Sequence, residues 1–234
     1  MAANTADGST APAPALGGVL FDVVETLMDV RPLAQRFLDI GQPAELMEPW
    51  FLRAQRDAFA LALSGRPTPF PDAMRHAMRV ETRGGVTDAE TDHVISGFGD
   101  MPAHPDAEPA IRRFAEAGVP MGFLTVGGRD ATERFLERTG LDRYISRVVT
   151  AADEGVWKPA PGLYHIAAES LGTPVERTAL VAVHAWDCHG AKEAGLLAGW
   201  CSRLEYAYGD VFTPADAVGD DLVAVAEGLL GLGR

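Results

Sequence analysis

The sequence predicts an α/β fold, in which helices cover both faces of a parallel sheet and a block of helices follows the first strand. Short apolar runs alternate with helical patterns through the second half of the 234-residue chain. Such alternation is typical of three layers joined by right-handed crossovers. Residues 31–99 instead carry Leu, Ala, Met, Phe and Arg at helical spacing without a β-branched run. This stretch predicts an all-helical insertion.

Five short apolar runs predict the strands of the sheet. A nearly continuous apolar run is typical of a strand buried on both faces of a parallel sheet. The runs are Val19–Val24, Val119–Thr125, Val148–Ala151, Ala179–His184 and Ala198–Ser202. Helical patterns precede later strands at Glu108–Ala117, Ala131–Thr139 and Gly162–Leu171.

The chain divides into three predicted parts. Residues 1–16 are small, polar and interrupted by proline, so they predict a disordered tail. Residues 17–30 and 103–234 predict the α/β core, and residues 31–102 predict a helical cap. Because the cap begins just after the first strand, we expect it to act as a lid, with hinges near residues 29–32 and 100–105.

Composition excludes several classes of partner. The chain has 20 Lys and Arg against 33 Asp and Glu, a formal net charge of −13, so nucleic acids and anionic membranes would be repelled. The two cysteines, Cys188 and Cys201, are too few for a disulfide framework. No run is long and apolar enough for a membrane helix. We therefore expect a soluble, cytoplasmic protein.

Polar residues mark the ends of the predicted strands, where ligands bind in open α/β sheets. Asp22 and Thr26 follow the first strand, and Thr125 ends the second. Lys158 lies in a Lys-Pro turn before a helix, and Asp187 follows the fourth strand. Each residue alone could be a helix cap or a turn, but their order predicts one shared site.

These positions resemble the four motifs of the haloacid dehalogenase-like hydrolase superfamily. The matching segments are FDVVETL, the strand ending in LT at residue 125, VWKPAPGLY, and VAVHAWDCHGAKEAG. The resemblance runs from about residue 17 to residue 203 and is greatest for the L-2-haloacid dehalogenase branch. It implies a Rossmann-like core with a helical cap inserted after the first motif.

The resemblance also implies a role for each motif residue. Asp22 would be a carboxylate nucleophile that forms an ester with the substrate, which water then hydrolyses. Lys158 would hold Asp22 anionic. Thr26 and Thr125 would hydrogen-bond the carboxylate or the substrate, and Asp187 would orient Lys158 or help to activate water.

One departure from the superfamily bears on the reaction type. Phosphatases of the superfamily carry a second Asp two residues after the nucleophile, where this chain has Val24. Valine cannot transfer a proton, so the sequence favours attack on carbon without a metal cofactor. The alternative is a Mg²⁺-dependent phosphatase in which Asp22 and Asp187 hold the metal ion.

Other departures concern the leaving group and the hydrolytic water. The Arg that cradles halide in the branch falls at Phe51, and Arg53 is the nearest replacement. The Ser-Asn pair after the second strand is Thr125-Val126, and the polar pair before Asp187 becomes Ala182 and His184. We therefore assign Phe51, Arg53 and Val126 to the substrate site.

Four further residues have two interpretations each. His184 could be a general base for ester hydrolysis or a hydrogen-bonded structural residue. Glu25 could be an acid or base beside Asp22 or a surface carboxylate. Tyr164 and Trp186 could contact the substrate or belong to the core.

The sequence thus predicts a hydrolase that uses Asp22 on a small organic acid, with a 2-haloacid as the first example. Two alternatives stay open: a Mg²⁺-dependent phosphatase, and a protein of this fold that binds a metabolite without turning it over. The expected partner is a small-molecule carboxylate. Apolar cap helices would also permit a homodimer.

Overall fold

A computed structural model describes residues 15–233 and confirms the α/β class. Within those residues six parallel strands form one sheet: Gly18–Phe21 (β1), Met121–Thr125 (β2), Arg147–Thr150 (β3), Thr178–Ala182 (β4), Leu197–Cys201 (β5) and Ala217–Gly219 (β6). Their order across the sheet is β3-β2-β1-β4-β5-β6. The first five strands lie within three residues of the predicted bounds. The three residues of β6 are too few to give a sequence signal.

Ten α-helices are present in the described residues. They are Leu33–Asp39 (α1), Met47–Leu63 (α2), Phe70–Glu81 (α3), Asp88–Ser96 (α4), Ala107–Glu116 (α5), Arg129–Thr139 (α6), Ala151–Glu154 (α7), Pro161–Leu171 (α8), Ala185–Glu193 (α9) and Leu222–Gly231 (α10). Helices α5, α6 and α8 begin one or two residues before the predicted bounds. None of the helices in residues 15–233 is long and apolar enough to cross a membrane.

Strand β1 lies at the centre of the sheet, with β2 on one side and β4 on the other. Its last residue, Phe21, pairs with Phe123 and with Val181. The backbone N–H of Asp22 donates to the carbonyl of Val181 at 3.0 Å, so the ladder continues to the residue after the strand. Because all three strands are parallel, their carboxyl ends meet beside Asp22.

Helices α1–α4 form the predicted insertion between β1 and β2. The chain enters and leaves the insertion side by side, because Met28 and Ala103 form an antiparallel bridge. The N–H of Asp29 donates to the carbonyl of Pro102 at 2.8 Å. These paired crossings lie at the predicted hinges. Movement of the insertion as a lid stays a prediction.

The insertion has its own apolar interior. In α3 the buried residues are Phe70, Ala73, Met74, Ala77 and Met78, which is the spacing of one helical face. They face α2, where the fully buried Trp50 donates its indole N–H to the carbonyl of Met74 at 2.9 Å. This hydrogen bond satisfies the only polar atom of a large buried aromatic ring.

The predicted disordered tail, residues 1–16, lies outside the described residues except for its last two. Those two differ from the prediction, because both contact the folded part of the chain. The carbonyl of Ala15 accepts a hydrogen bond from Arg177 Nε at 2.8 Å, and Leu16 packs on the hydrophobic core. A hydrogen bond from the Arg177 side chain and apolar burial thus order residues that composition alone assigns to the tail.

Candidate active site

Asp22 lies at the centre of a buried polar cluster. It follows β1 and is 4% exposed. Lys158, which comes from the turn before α8, places its Nζ 3.0 Å from Asp22 Oδ1 and 2.6 Å from Asp187 Oδ2. The buried ammonium therefore bridges two buried carboxylates, an arrangement that offsets the cost of removing these charges from water.

Tyr164 completes the far side of this cluster. Its hydroxyl donates to Asp187 Oδ1 at 2.6 Å, so both carboxylate oxygens of Asp187 accept a hydrogen bond. Asp187 and Tyr164 are both fully buried. The structure therefore places Tyr164 behind Asp187, where it fixes that carboxylate. Of its two interpretations, substrate contact or core, this position agrees with the core.

The charges of this cluster keep Asp22 ionised. Burial alone would raise the pKa of Asp22, but the charges of Lys158 and His184 and the contacts with His184 and Thr26 together outweigh burial, so the pKa falls well below its usual range. The same ion pairs act on Lys158: burial lowers its pKa, whereas Asp187 and Asp22 raise it above the ordinary value. Asp22 is thus an anion at neutral pH.

The two threonines differ in what they contact. Thr26 Oγ1 donates to Asp22 Oδ2 at 2.7 Å and accepts from the N–H of Val183 at 3.1 Å, so it ties the nucleophile position to the end of β4. Thr125 Oγ1 accepts from the N–H of Gly127 at 2.9 Å. The hydrogen bond found for Thr125 thus shapes the turn after β2, and it does not reach Asp22.

His184 and Glu25 flank the other side of Asp22. His184 Nε2 lies 2.9 Å from Glu25 Oε2. The second ring nitrogen, Nδ1, lies 3.3 Å from Asp22 Oδ2 but is buried without an aligned hydrogen-bond partner. Burial lowers the pKa of His184, but contacts with Asp22 and Glu25 outweigh it and raise the pKa to about 10. The imidazole is therefore positively charged when Asp22 is ionised.

A cleft of about 960 Å³ opens between the helical insertion and the carboxyl ends of the strands. Its walls are mainly apolar and include Phe51, Phe59 and Trp186. Trp186 packs edge-on against Phe59, with ring centroids 5.0 Å apart. Glu25 and His184 also line the cleft, so the Asp22 cluster lies at its base.

Two predicted substrate residues are placed elsewhere. Arg53 forms an ion pair with Glu81 between α2 and α3, and it is not among the residues that line the cleft. Arg53 is close to Phe51 in sequence. Because one turn of an α-helix has 3.6 residues, a residue two positions after Phe51 lies on a different face of α2. Val126 is buried after β2 and likewise does not line the cleft.

Three residues of the site have no counterpart among the predicted ones. Arg203 donates to the carbonyl of Thr26 at 2.8 Å and pairs with Asp106, so it holds the loop after β1. Glu205 accepts from the N–H of Ala185 at the start of α9, and His104 contacts the carbonyl of Glu25. Arg203 lies just beyond β5, so the rule that sites form at strand ends could have found it.

The oxygen atoms of this site are not arranged to bind Mg²⁺. Both oxygens of Asp187 are hydrogen-bonded, and those of Asp22 face Lys158 and Thr26. No group of three His, Cys, Asp or Glu side chains in residues 15–233 has a geometry that could hold a metal ion. Because Mg²⁺ needs free oxygen ligands in octahedral geometry, these residues do not fit it.

Comparison with known proteins agrees with the motifs. A family model described as haloacid dehalogenase-like hydrolase matches residues 16–195. An (S)-2-haloacid dehalogenase from Pseudomonas putida is 26% identical over 199 residues, covering 83% of this chain and 88% of that protein. (S)-2-haloacid dehalogenase 4A from Burkholderia cepacia is 28% identical over 189 residues, covering 77% and 80%.

Solved structures show the same fold. The L-2-haloacid dehalogenase from Xanthobacter autotrophicus, with chloropropionic acid covalently bound, has a TM-score of 0.83 at 20% identity. The match covers 92% of this chain and 99% of that one. The family model covers well over half of this chain, from before β1 to the end of α9. The chain therefore belongs to the haloacid dehalogenase-like hydrolases.

Proposed function

We propose that this protein hydrolyses a small organic acid by attack of the Asp22 carboxylate on the carbon next to the acid group, with 2-haloacids as the first candidates. One observation carries the proposal: an ionised carboxylate, held by Lys158 at 3.0 Å, lies buried at the base of a mainly apolar cleft. A poorly hydrated carboxylate is a strong nucleophile. The relatives named as (S)-2-haloacid dehalogenases support the same chemistry.

The reaction would proceed in two steps. An Asp22 oxygen bonds to the carbon, and the carbon–halogen bond breaks as halide leaves with the bonding electrons. Water then adds to the carbonyl carbon of the Asp22 ester, and cleavage of the acyl C–O bond releases a hydroxy acid. Lys158 and Thr26, which contact the two Asp22 oxygens, would hold the carboxylate for attack and stabilise the oxyanion of the second step.

The environment of the cleft fits a carbon chain better than a phosphate ester. Phe51 lines the cleft where the branch has its halide-binding Arg, and Trp186 and Phe59 add further apolar surface. A halide leaving group needs no proton, so replacement of the second Asp by Val24 would not slow halide departure. A phosphatase would need that Asp and a metal site, and the oxygens of Asp187 are already engaged.

Two further properties belong to this proposal. Cys188 and Cys201 are buried free thiols, which suits a reducing compartment such as the cytoplasm. The partner would be a small-molecule carboxylate. A homodimer stays a prediction.

The test is halide release from a panel of short 2-haloacids in the presence of a chelator. Asp22→Asn should abolish release, because an amide cannot form the ester. Asp39→Asn, an exposed position at the end of α1, is the matched control and should behave as wild type. Release that persists in Asp22→Asn would overturn the proposal, and no release from any haloacid would favour the phosphatase alternative.

A further inference from the structure

The second step needs a group that can reach both water and Asp22. Among the described residues, the side chains that form a hydrogen bond or ion pair with the Asp22 carboxylate are Lys158, Thr26 and His184. Lys158 and Thr26 are 1% and 0% exposed and do not line the cleft, whereas His184 does. Water that enters from the cleft therefore meets His184 first.

Asp187 cannot take this role. Its two oxygens accept hydrogen bonds from Lys158 and Tyr164, both at 2.6 Å, and the residue is fully buried. A water molecule bound to Asp187 would have to displace one of these partners. The geometry leaves Asp187 to orient Lys158.

The backbone conformation of Glu25 independently indicates a functional role for its side chain. It is one of two residues other than glycine in the described chain with a positive φ, at 66°. This backbone conformation favours glycine, so a glutamate there costs free energy that glycine would not. Its carboxylate lies 2.9 Å from His184 Nε2. That contact fixes the ring so that Nδ1 faces Asp22.

We propose that His184, oriented by Glu25, is the general base that activates water for hydrolysis of the Asp22 ester. The inference rests on the proposed function, since it needs the ester to form. His184 is a catalytic residue in this scheme, because its Nδ1 lies 3.3 Å from Asp22 Oδ2. Glu25 is a positioning residue, because it acts through the imidazole.

Ester formation itself would release the base. In the free enzyme the charges of Asp22 and Glu25 keep the pKa of His184 near 10, so the ring is protonated. When Asp22 becomes an ester it loses its charge, the pKa of His184 falls, and the imidazolium loses one proton to solvent. Neutral Nδ1 then faces the ester. Protonated His184 thus pairs with Asp22 while Asp22 is an anion. Neutral His184 forms only after Asp22 has become an ester, when a base is needed.

The protons and electrons balance over the cycle. Neutral His184 takes a proton from water as the hydroxide adds to the ester carbonyl carbon. The tetrahedral intermediate collapses, the acyl C–O bond breaks, and His184 returns the proton to the departing alkoxide. The new Asp22 carboxylic acid passes its proton to His184. The sum is haloacid plus water giving hydroxy acid, halide and one proton.

The test separates ester formation from ester hydrolysis. Wild type, His184→Asn and the matched control His189→Asn, a half-buried position in α9 outside the cleft, are mixed with 2-bromopropionate. Halide release is followed by rapid quench, and the ester on the intact protein by mass spectrometry. Circular dichroism establishes that each variant is folded.

The proposal predicts that His184→Asn releases about one halide per protein and then stalls with the ester accumulated. Loss of a general base slows the hydrolysis step about 10²–10⁴-fold. His189→Asn should turn over as wild type does. Glu25→Gln should form the ester at a rate close to that of wild type but hydrolyse it more slowly, a split that a merely structural role would not produce.

Two results would overturn it. One is repeated turnover by His184→Asn at the wild-type rate. The other is a folded His184→Asn that forms no ester, which would place His184 in the first step. Failure of the proposed function is distinguishable, because wild type would then release no halide and carry no ester.

Discussion

Protonation of His184 couples the stability of this protein to pH. The folded-state pKa of His184 is about 10, against 6.5 for an unperturbed imidazole. Because the folded value is the higher one, the stabilisation is complete below pH 6.5 and is lost as the pH rises through about 10. A shift of this size corresponds to about 5 kcal/mol, with a slope of about 1.4 kcal/mol per pH unit in between. That is a large share of a typical stability of about 5–15 kcal/mol.

The assay is urea unfolding followed by tryptophan fluorescence from pH 7 to pH 10, for wild type and for His184→Asn. The variant lacks the imidazolium between Asp22 and Glu25, so it should be least stable relative to wild type at pH 7, and the two curves should converge towards pH 10. Buried Cys188 and Tyr164 ionise more readily when unfolded, but they do so in both proteins and cancel in the difference. A difference in the free energy of unfolding between the two proteins that stays constant from pH 7 to pH 10 would refute the reasoning.

Three further predictions follow from the site. Lys158→Met removes the cation that bridges the buried Asp22 and Asp187, so the free energy of unfolding should fall by about 3–5 kcal/mol in urea titrations, and halide release should stop. An unchanged urea midpoint would contradict this. Tyr164→Phe removes a hydrogen bond to charged Asp187, so the free energy of unfolding should fall by about 1.5–3 kcal/mol in urea titrations. Slow halide release should persist. Complete loss of release in a folded variant would place Tyr164 in the reaction. Arg53→Gln should leave KM for 2-haloacids unchanged in steady-state kinetics, because Arg53 pairs with Glu81 outside the cleft, and a large rise in KM would return it to the substrate site.

Much of the fold could be predicted because the core strands are short, apolar and ended by polar residues. The order of Asp22, Lys158 and Asp187 along the chain predicts one shared site, and the structure places Lys158 Nζ 3.0 Å from Asp22 Oδ1 and 2.6 Å from Asp187 Oδ2. Asp22 and Asp187 follow the neighbouring parallel strands β1 and β4, whose carboxyl ends must meet, so their convergence follows from topology. The two carboxylates that pair with Lys158, those of Asp22 and Asp187, could thus be predicted without knowing the direction of any side chain.

What depends on side-chain direction could not be predicted. Arg53 and Phe51 are two positions apart in α2, yet only Phe51 faces the cleft. Glu25 had two interpretations in the sequence, because whether its carboxylate points to solvent or to His184 depends on a left-handed backbone that the residue type disfavours. The role of Tyr164 likewise depends on where Asp187 lies. Because Asp187 is buried in the core, the hydrogen bond from Tyr164 to it is structural, and the sequence does not reveal that burial.

The most direct measurement of carboxylate attack is a single turnover in H₂¹⁸O with enzyme in excess over a 2-haloacid. If Asp22 attacks the carbon, the new hydroxyl oxygen of the first product comes from the Asp22 side chain. The hydroxy acid should then be unlabelled, and ¹⁸O should appear in the peptide that contains Asp22. A labelled hydroxy acid with no label in that peptide would show direct attack by water and contradict the account.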